Sequence, residues 1–286
     1  MRRFLNKVFA ATGIVNKNRA WHQMTQPYKL TTTDRLMYPS QPPDFVGVGV
    51  PKAGTSWWYD LLVNHPQIAQ NQLEEKELSY FIHFELSGLS EHDMETYQAT
   101  FASPPDMICG EWSPNYLSRP LSLQLLAESA PDTKILVMLR DPVRRTCSHV
   151  NHLLNNRAGV YRLTSRQQKQ LYFLFDVFPQ CLQTSLYATQ IEQLFEFFPR
   201  SQVLILQYEQ CVADAEREFV KTVQFLGLDL PESLPAYSKR VNETPKKQFV
   251  LDESEKNRLK QFFRPDLARL ANLCPELDLE LWESYR

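Results

Sequence analysis

The sequence predicts an α/β fold of three layers, in which a central, mainly parallel sheet is flanked by helices. Three short runs of apolar and β-branched residues have the composition of strands buried on both faces, at 44–50, 134–139 and 202–207. A segment with helical spacing of its apolar residues follows each run. Strands that alternate with helices in this way are typical of a parallel sheet covered on both faces.

The first strand is expected to open a strand–loop–helix unit. A loop rich in small residues follows it, and residues 56–64 then place Trp57 and Leu61 at the i, i+4 spacing of one helix face. Pro66 is expected to end this helix.

The remaining pattern continues the alternation. It predicts a short strand at 107–111 and helices over 121–129, from 142 to about 154, over 186–198, over 214–226 and over 252–263. Gly227 suits the C′ position after one helix, and Asp252 suits the N-cap of the last, with Glu255 at the capping-box spacing. Residues 155–183 mix basic and aromatic residues and give no clear prediction.

The composition argues against several classes of protein. The chain has 286 residues, 43% of them apolar, which is enough for a large core, and its net charge of −2 argues against nucleic-acid binding. The five cysteines are scattered and form no CxxC pair, which favours reduced thiols and a cytoplasmic location. His149 and His152 can share a helix face, but no third ligand lies nearby, so we expect no metal site.

The N-terminal part of the chain is predicted to differ from the rest. Residues 1–43 are expected to form an extension that ends in a proline-rich loop, and residues 44–286 to form one domain. No apolar run is long enough for a transmembrane helix. The basic, partly amphipathic start of the chain favours an arm over a signal or transit peptide, and it leaves weak peripheral membrane association open. The oligomeric state is not indicated.

The loop after the first strand, residues 49–57 (GVPKAGTSW), has the features of an anion-binding site. Amide groups at the start of a helix lack acceptors and carry partial positive charge. Gly54 allows the backbone to approach a ligand oxygen, Thr55 and Ser56 add hydroxyl donors, and Lys52 adds a cation. The loop is not a Walker A motif, because Thr55 stands where that motif has its lysine.

The wording P-K-A-G-T-S-W resembles the 5′-phosphosulfate-binding loop of the sulfotransferases that use 3′-phosphoadenosine-5′-phosphosulfate (PAPS), with the bacterial and polysaccharide-type branch most similar. The resemblance implies a P-loop-NTPase-like sulfotransferase fold and transfer of a sulfuryl group to an acceptor hydroxyl or amine, without a metal. It also implies that the loop holds the 5′-phosphosulfate, with Lys52 near the bridging oxygen. The residues implied are Lys52, Ala53, Gly54, Thr55, Ser56 and Trp57.

A second motif follows the strand at 134–139. Arg140 lies at the carboxyl end of that strand, where open α/β sheets bind ligands, and its guanidinium can hold a phosphate through two N–H groups. Ser148 follows on the next helix, at a spacing that alone does not place it at the ligand. The alternative without ligand binding is that Arg140 pairs with an acid and Ser148 faces solvent.

This segment also resembles the 3′-phosphate motif of the family, R-[DN]-P-x-x-R-x-x-S. The resemblance implies that Arg140 and Ser148 bind the 3′-phosphate of PAPS and of its product, adenosine 3′,5′-bisphosphate (PAP). Lys246 and Lys247 lie where a late loop of the family often touches the nucleotide. A solvated charge pair is the alternative interpretation of these two lysines.

Residues 74–81 (EEKELSYF) are a candidate site for the base that the transfer needs. They resemble the K-E-x-x-[YFH]-F segment that carries the catalytic glutamate in polysaccharide-type and many bacterial sulfotransferases, which implies that Glu77 is the base. An exposed charged turn is the alternative. We expect nearby aromatic side chains to desolvate the Glu77 carboxylate. His83 is the other candidate base, since the cytosolic small-molecule branch uses histidine.

The sequence departs from the polysaccharide-type pattern in the region expected to meet the acceptor. Those members often have a second acid where Ile82 and His83 stand, and they carry a lysine where this chain has Trp112. The departure argues against a sulfated polysaccharide. Trp112 and Tyr116 are expected either to line an apolar acceptor site or, for Trp112, to belong to the core. A small molecule, a lipid or a saccharide remains a candidate acceptor.

Two other functions stay open at this point. A small-molecule kinase with a variant P-loop would need an acid that binds Mg²⁺ after a second strand. A PAP-binding protein without turnover would bind the nucleotide and transfer nothing. The combination of Lys52, Glu77, Arg140 and Ser148 favours the enzyme.

Overall fold

The computed structural model describes residues 36–156, 172–233 and 249–286. Within these ranges the sheet has five strands: β1 Phe45–Gly49, β2 Ile68–Ala69, β3 Ile108–Trp112, β4 Lys134–Leu139 and β5 Val203–Gln207. They lie in the order β2-β3-β1-β4-β5, and every neighbouring pair is parallel. The predicted α/β fold with a parallel sheet flanked by helices is therefore confirmed.

The described helices are α1 Thr55–Val63, α2 Glu91–Ala99, α3 Pro120–Ser129, α4 Pro142–Asn156, α5 Tyr172–Val177, α6 Pro179–Gln183, α7 Tyr187–Phe197, α8 Tyr208–Ala213, α9 Ala215–Leu226 and α10 Glu253–Leu273. None of them is long and apolar enough to span a membrane. Most of the predicted N-terminal extension, residues 1–35, lies outside the described part of the chain.

Five of the described helices and strands were not predicted, and each is short or weakly patterned. Two of them, α5 and α6, lie in the stretch 155–183 that gave no clear prediction. The edge strand β2 has two residues. Helix α8 follows β5 directly and has six. Helix α2 is mostly polar, and a reciprocal cap begins it, because Ser90 Oγ accepts the Asp93 N–H and the Asp93 carboxylate accepts the Ser90 N–H. Its capping box has aspartate at the third helical position, where Glu or Gln is usual.

Helix α10 begins as predicted but runs further. The Asp252 carboxylate accepts the Glu255 N–H at 2.9 Å, which is the expected N-cap. The predicted end near residue 263 is wrong, because the helix continues through Pro265 to Leu273. Leu267 and Leu270, beyond the proline, are fully buried. Burial of this face outweighs the local cost of proline in a helix interior.

Parallel strands bring the functional segments to one edge of the sheet. The carboxyl ends of β1, β3, β4 and β5 lead into residues 50–54, 113–116, 140–142 and 208–213. The Val50 N–H donates to Met138 O at 3.0 Å, so the loop after β1 stays paired with β4 beyond the strand itself. This edge is where open α/β sheets bind ligands.

Gly47 in β1 leads to a stability prediction. It lies opposite Trp112 of β3, and a Cβ atom at position 47 would be 2.1 Å from the indole ring. Trp112 is fully buried and donates its indole N–H to Gly49 O at 3.2 Å, so the ring has little freedom to move. We expect Gly47→Ala to lower the free energy of unfolding by about 3 kcal/mol, measured by urea denaturation.

Gly88→Ala is the matched control for this prediction. A Cβ atom there meets nothing within 4 Å, and the residue has a φ of +70°. The expected cost is therefore that of a left-handed non-glycine residue, about 1 kcal/mol. If Gly47→Ala lowers the free energy of unfolding no more than Gly88→Ala does, the Trp112 ring can move to accommodate the added Cβ atom, which would contradict the prediction.

Candidate active site

The loop that connects β1 to α1, called here the Lys52 loop (residues 50–54), has a backbone that requires glycine at its end. Gly54 has a φ of +93°, and a Cβ atom on it would lie 2.6 Å from the ring of Tyr208. Helix α1 begins at Thr55 with no side-chain cap. The amide groups of Thr55, Ser56 and Trp57 have no acceptor within the helix, and they therefore form a ready anion site.

Two arginines hold the Lys52 loop by its backbone. Arg140 donates to Lys52 O at 3.0 Å, and Arg145 donates to Pro51 O at 3.2 Å. Arg145 is fully buried, and burial lowers its pKa. Its partners in the described part of the chain are neutral, and besides Pro51 they are Ser185, Cys181 O and His149. The positive charge of the two guanidinium groups favours an anion at this loop.

Two buried N–H groups beside the loop have no acceptor among the described residues. They are Arg140 Nε and Trp57 Nε1. Both flank Tyr208, since the Arg140 guanidinium lies 4.6 Å from the centre of its ring and the Trp57 ring meets it edge-on at 6.4 Å. A buried donor without a partner typically costs about 1–3 kcal/mol. An anionic ligand bound here would offer its oxygens as acceptors to these two donors.

Lys52 contacts a histidine that the sequence suggested only as a metal ligand. Its Nζ lies 3.3 Å from His152 Nδ1. Burial, and then Arg140, lower the pKa of Lys52, while Glu77 raises it. Burial and then Lys52 lower the pKa of His152. A neutral His152 can accept a hydrogen bond from the Lys52 ammonium, and this places α4 beside the loop.

His149, the other histidine on α4, has a different partner. His149 Nδ1 lies 3.1 Å from the Arg145 guanidinium, and burial lowers the pKa of His149 to about 3. In the part of the chain that the structure describes, no group of three or more His, Cys, Asp or Glu side chains is arranged to hold a metal ion.

Glu77 lies at the mouth of the site and not in the buried environment that the sequence suggests. Its side chain is 46% exposed, and its carboxylate accepts a hydrogen bond from Lys76 Nζ at 2.7 Å. The expected desolvation by aromatic side chains is therefore wrong. The aromatic residues that follow, Tyr80 and Phe81, point into the core instead. Glu77 nevertheless lies close enough to influence the pKa values of both Lys52 and His152.

Lys76 is a functional candidate that the sequence did not single out. Its Nζ reaches Thr55 Oγ1 at 3.1 Å as well as Glu77, and its side chain is only 16% exposed. Burial lowers its pKa. Thr55 stands in the lysine position of a Walker A motif. Lys76 brings an ammonium group to that position in space from another part of the chain.

The other predicted site residues are placed less closely. Ser148 is partly buried on α4, four residues before His152, so the two share a helix face. His83 ends the 3₁₀ turn Tyr80–His83 and is exposed. Ala53 is buried behind the loop. Lys246 and Lys247 lie outside the described residues.

Trp112 and Tyr116 do not form the expected apolar acceptor wall. Trp112 and Tyr116 are both fully buried. The Trp112 indole N–H donates to Gly49 O, and the Tyr116 hydroxyl lies 3.4 Å from the Glu111 carboxylate. Both residues belong to the core, as the alternative interpretation of Trp112 had it.

The end of β3 holds the segment around Glu77, called here the Glu77 loop (residues 76–79). The Trp112 N–H donates to Lys76 O at 2.7 Å. The Leu78 N–H donates to Glu111 Oε2 at 3.0 Å, and the Ser79 N–H donates to Ser113 Oγ at 2.7 Å. Glu77 is thus flanked on both sides by backbone groups that are fixed to one strand end.

Glu111 is itself an unusual group, because its carboxylate is fully buried. It also accepts hydrogen bonds from Ser113 Oγ at 2.5 Å, from the Tyr97 hydroxyl at 3.0 Å and from the Tyr116 hydroxyl at 3.4 Å. Burial raises its pKa to about 7, although these hydrogen bonds oppose the rise. The sequence did not indicate this group, because two of its partners, Leu78 and Tyr97, come from other segments of the chain.

The raised pKa of Glu111 predicts a pH-dependent stability. Above the ordinary pKa of 4.5 the unfolded chain releases a proton that the folded protein keeps up to about pH 7. The contribution of Glu111 to the free energy of unfolding is therefore largest below about pH 4.5. It falls by about 3 kcal/mol as pH rises through 7. We expect wild type to lose about that much more stability than Glu111→Gln between pH 4.5 and 8 in urea titrations. Equal losses would contradict the assignment.

Comparison with known proteins agrees with this geometry. The family model described as sulfotransferase domain matches residues 42–267. The chain is 27% identical over 191 residues to heparan sulfate glucosamine 3-O-sulfotransferase 3A1 of Mus musculus, covering 66% of this chain and 46% of the relative. It is 27% identical over 219 residues to bifunctional heparan sulfate N-deacetylase/N-sulfotransferase 3 of Homo sapiens, covering 73% and 24%. The chain thus spans less than half the length of these relatives.

Solved structures show the same relationship. A sulfotransferase from Alicyclobacillus acidocaldarius matches with a TM-score of 0.66 at 27% identity, covering 84% of this chain and 98% of that one. Sulfotransferase STF9 from Mycobacterium avium, at 12% identity and a TM-score of 0.51, shares the fold. The family match covers most of the chain and includes both the Lys52 loop and Arg140. The chain therefore belongs to the sulfotransferase family, as its two nucleotide motifs predict.

Proposed function

We propose that the protein is a PAPS-dependent sulfotransferase that sulfates a hydroxyl or amine group of its acceptor. The observation that carries the proposal is the pair of buried, unpartnered donors, Arg140 Nε and Trp57 Nε1, beside an uncapped helix start. Lys52 and Glu77 lie at the same edge of the sheet. PAPS, when bound, supplies the sulfuryl group and leaves as PAP.

The binding roles follow from the contacts in the site. The first-turn amides of α1, the hydroxyls of Thr55 and Ser56, and the Lys52 ammonium would hold the 5′-phosphosulfate. Arg140, with Ser148 on the next helix, would hold the 3′-phosphate. Because Arg140 also donates to Lys52 O at 3.0 Å, filling one phosphate site is coupled to the shape of the other.

The chemical roles fall to two side chains. The Glu77 carboxylate takes the proton of the acceptor hydroxyl as the new O–S bond forms. The S–O bond to the phosphate breaks, and the Lys52 ammonium stabilises the electron pair left on the phosphate oxygen. The exposure of Glu77 suits this role, since an acceptor must reach it from solvent. His83 is a weaker candidate, because Glu77, and not His83, is among the charged groups that shift the pKa of Lys52.

A saccharide is the acceptor class that we propose to test first. The relatives are named for heparan sulfate, and sulfation of a sugar hydroxyl or amine is the corresponding reaction. The main sequence argument for an apolar acceptor has gone, because Trp112 and Tyr116 are in the core. The side chains near Lys52 are polar, since His152 Nδ1 lies 3.3 Å from its Nζ and both Glu77 and Lys76 influence its pKa.

The kinase alternative is less well supported. The acids that follow β4 and β5 are used by the protein itself: the Asp141 carboxylate accepts from the Ser284 N–H at 2.9 Å and from the Ser284 hydroxyl at 2.7 Å, and Glu209 accepts from the Trp282 indole N–H at 2.7 Å. Lys76 lies beside Thr55. This arrangement offers a phosphosulfate a second ammonium group in place of an acid that would bind Mg²⁺.

The test is transfer of ³⁵S from labelled PAPS to a panel of acceptors. The panel holds N-desulfated and O-desulfated heparin oligosaccharides, a long-chain alcohol and a phenol. We expect one class to be labelled at the same rate with and without EDTA. PAP binding without labelling of any acceptor would support a protein without turnover, and transfer of ³²P from ATP would support a kinase.

A further inference from the structure

The end of β3 connects the two halves of the site. The Trp112 indole N–H donates to Gly49 O, at the end of β1 directly before the Lys52 loop, and its backbone N–H donates to Lys76 O in the Glu77 loop. A single strand end thus sets the distance between the loop that would hold the donor and the carboxylate that would take the proton. Glu111, next to Trp112, fixes the far side of the Glu77 loop through the Leu78 N–H.

We propose that Glu111 is a positioning residue for the reaction, which holds the Glu77 loop so that the Glu77 carboxylate faces the transfer point. The inference rests on the proposed role of Glu77 as the base. Glu111 is fully buried and lies behind the loop, away from solvent and acceptor, so it acts through Leu78 and Ser79 and not by contact with substrate.

The hydrogen-bond pattern supports orientation over simple packing. Ser113 Oγ donates to the Glu111 carboxylate and accepts the Ser79 N–H, so Glu111 directs the Ser113 lone pair at the loop. Glu111 Oε2 also accepts the Leu78 N–H directly. Two successive amides after Glu77 are therefore oriented by one carboxyl group. A buried carboxyl is costly, and an apolar residue of similar volume would often be less so, which favours a function beyond stability.

Three variants separate these effects. Glu111→Gln keeps an oxygen for the Leu78 N–H and for Ser113, while its amide N–H₂ can donate to the hydroxyls of Tyr97 and Tyr116. Glu111→Met fills the volume but leaves the Leu78 N–H and Ser113 without that acceptor. Ser113→Ala removes the acceptor of the Ser79 N–H and keeps Glu111, and it serves as the test if Glu111→Met fails to fold.

The experiment measures kcat, the KM for PAPS and the dissociation constant of PAP for each variant. The acceptor is the member of the panel above that is sulfated fastest, and each variant is made in wild-type and Glu77→Gln backgrounds. We expect Glu111→Met and Ser113→Ala to lower kcat about 10-fold or more, since misplaced groups lose rate steeply. PAP binding should change less than about 2-fold, and Glu111→Gln should restore most of kcat.

The double variants decide the matter. If Glu111 acts by placing Glu77, its loss should have little further effect once Glu77 is already replaced. An equal loss of kcat in both backgrounds, or PAP affinity that falls in parallel with kcat, would overturn the proposal in favour of general support of the fold. Full activity of Glu77→Gln alone would overturn the role of Glu77 first, so the single variant tells the two failures apart.

Discussion

Lys52→Met should lower kcat by about 10²–10³-fold, the usual loss when one group that stabilises transition-state charge is removed. The variant loses the 3.3 Å contact of Lys52 Nζ with His152 Nδ1, but the Lys52 loop keeps its anchor, because Arg140 holds it through the backbone oxygen of residue 52. Lysine and methionine both carry a Cβ atom, so the left-handed backbone, with a φ of 69°, is strained equally in both. Thermal stability should therefore change little.

Lys221→Met is the matched control for this variant. Lys221 lies on α9, is 38% exposed and pairs with Glu218. Glu218 is nearly buried but keeps its ion pair with Arg217 at 3.1 Å in the variant, so we expect a cost of about 1 kcal/mol and no change in kcat. Wild-type turnover in Lys52→Met would remove Lys52 from the mechanism and would point to Lys76, which also reaches the start of α1, as the principal cation.

Glu77→Gln should lower kcat by about 10²–10⁴-fold while PAP binding is kept, as expected for loss of a general base. The change is nearly isosteric, and the pair that it breaks, with Lys76, is partly exposed. Glu75→Gln, in the same exposed stretch, is the control and should keep full activity.

His83→Gln is measured beside Glu77→Gln, because His83 is the competing candidate. We expect it to keep most of kcat, since Glu77, and not His83, is near enough to Lys52 and His152 to shift their pKa values. Full rate in Glu77→Gln with a large loss in His83→Gln would transfer the role of base to His83.

The sequence could predict the parts of the site that depend on neighbouring residues. The Lys52 loop is one continuous segment between a strand and a helix, and Arg140 directly follows β4, so periodicity and strand ends were enough to place them. The family resemblance then supplied the ligand. These parts needed no knowledge of how distant segments pack.

The parts that the sequence missed depend on contacts between distant segments. Lys76 reaches Thr55 from 21 residues away, and His152 reaches Lys52 from 100 residues away. Tyr208 closes the space next to Gly54 only because β5 lies beside β4 in the sheet. No local pattern marks such residues before the strand order is known.

The placements of Glu77 and Trp112 have a common cause. Glu77 was expected to be desolvated, and Trp112 either to line an acceptor site or to belong to the core; the structure has Glu77 exposed and Trp112 buried. Both follow from the Glu77 loop crossing the end of β3, which covers Trp112 and leaves Glu77 at the surface. Hydrophobicity alone does not predict which of two adjacent segments lies outside.

The most direct test of the central claim is thermal unfolding with and without PAP, beside ATP with Mg²⁺, on wild type and Arg140→Ala. PAP at about 100 times its dissociation constant should add roughly 2.7 kcal/mol of stability to wild type. We predict that Arg140→Ala loses most of this gain and that ATP with Mg²⁺ gives little. A gain from ATP with Mg²⁺ alone, or an equal gain from PAP in both proteins, would contradict the account.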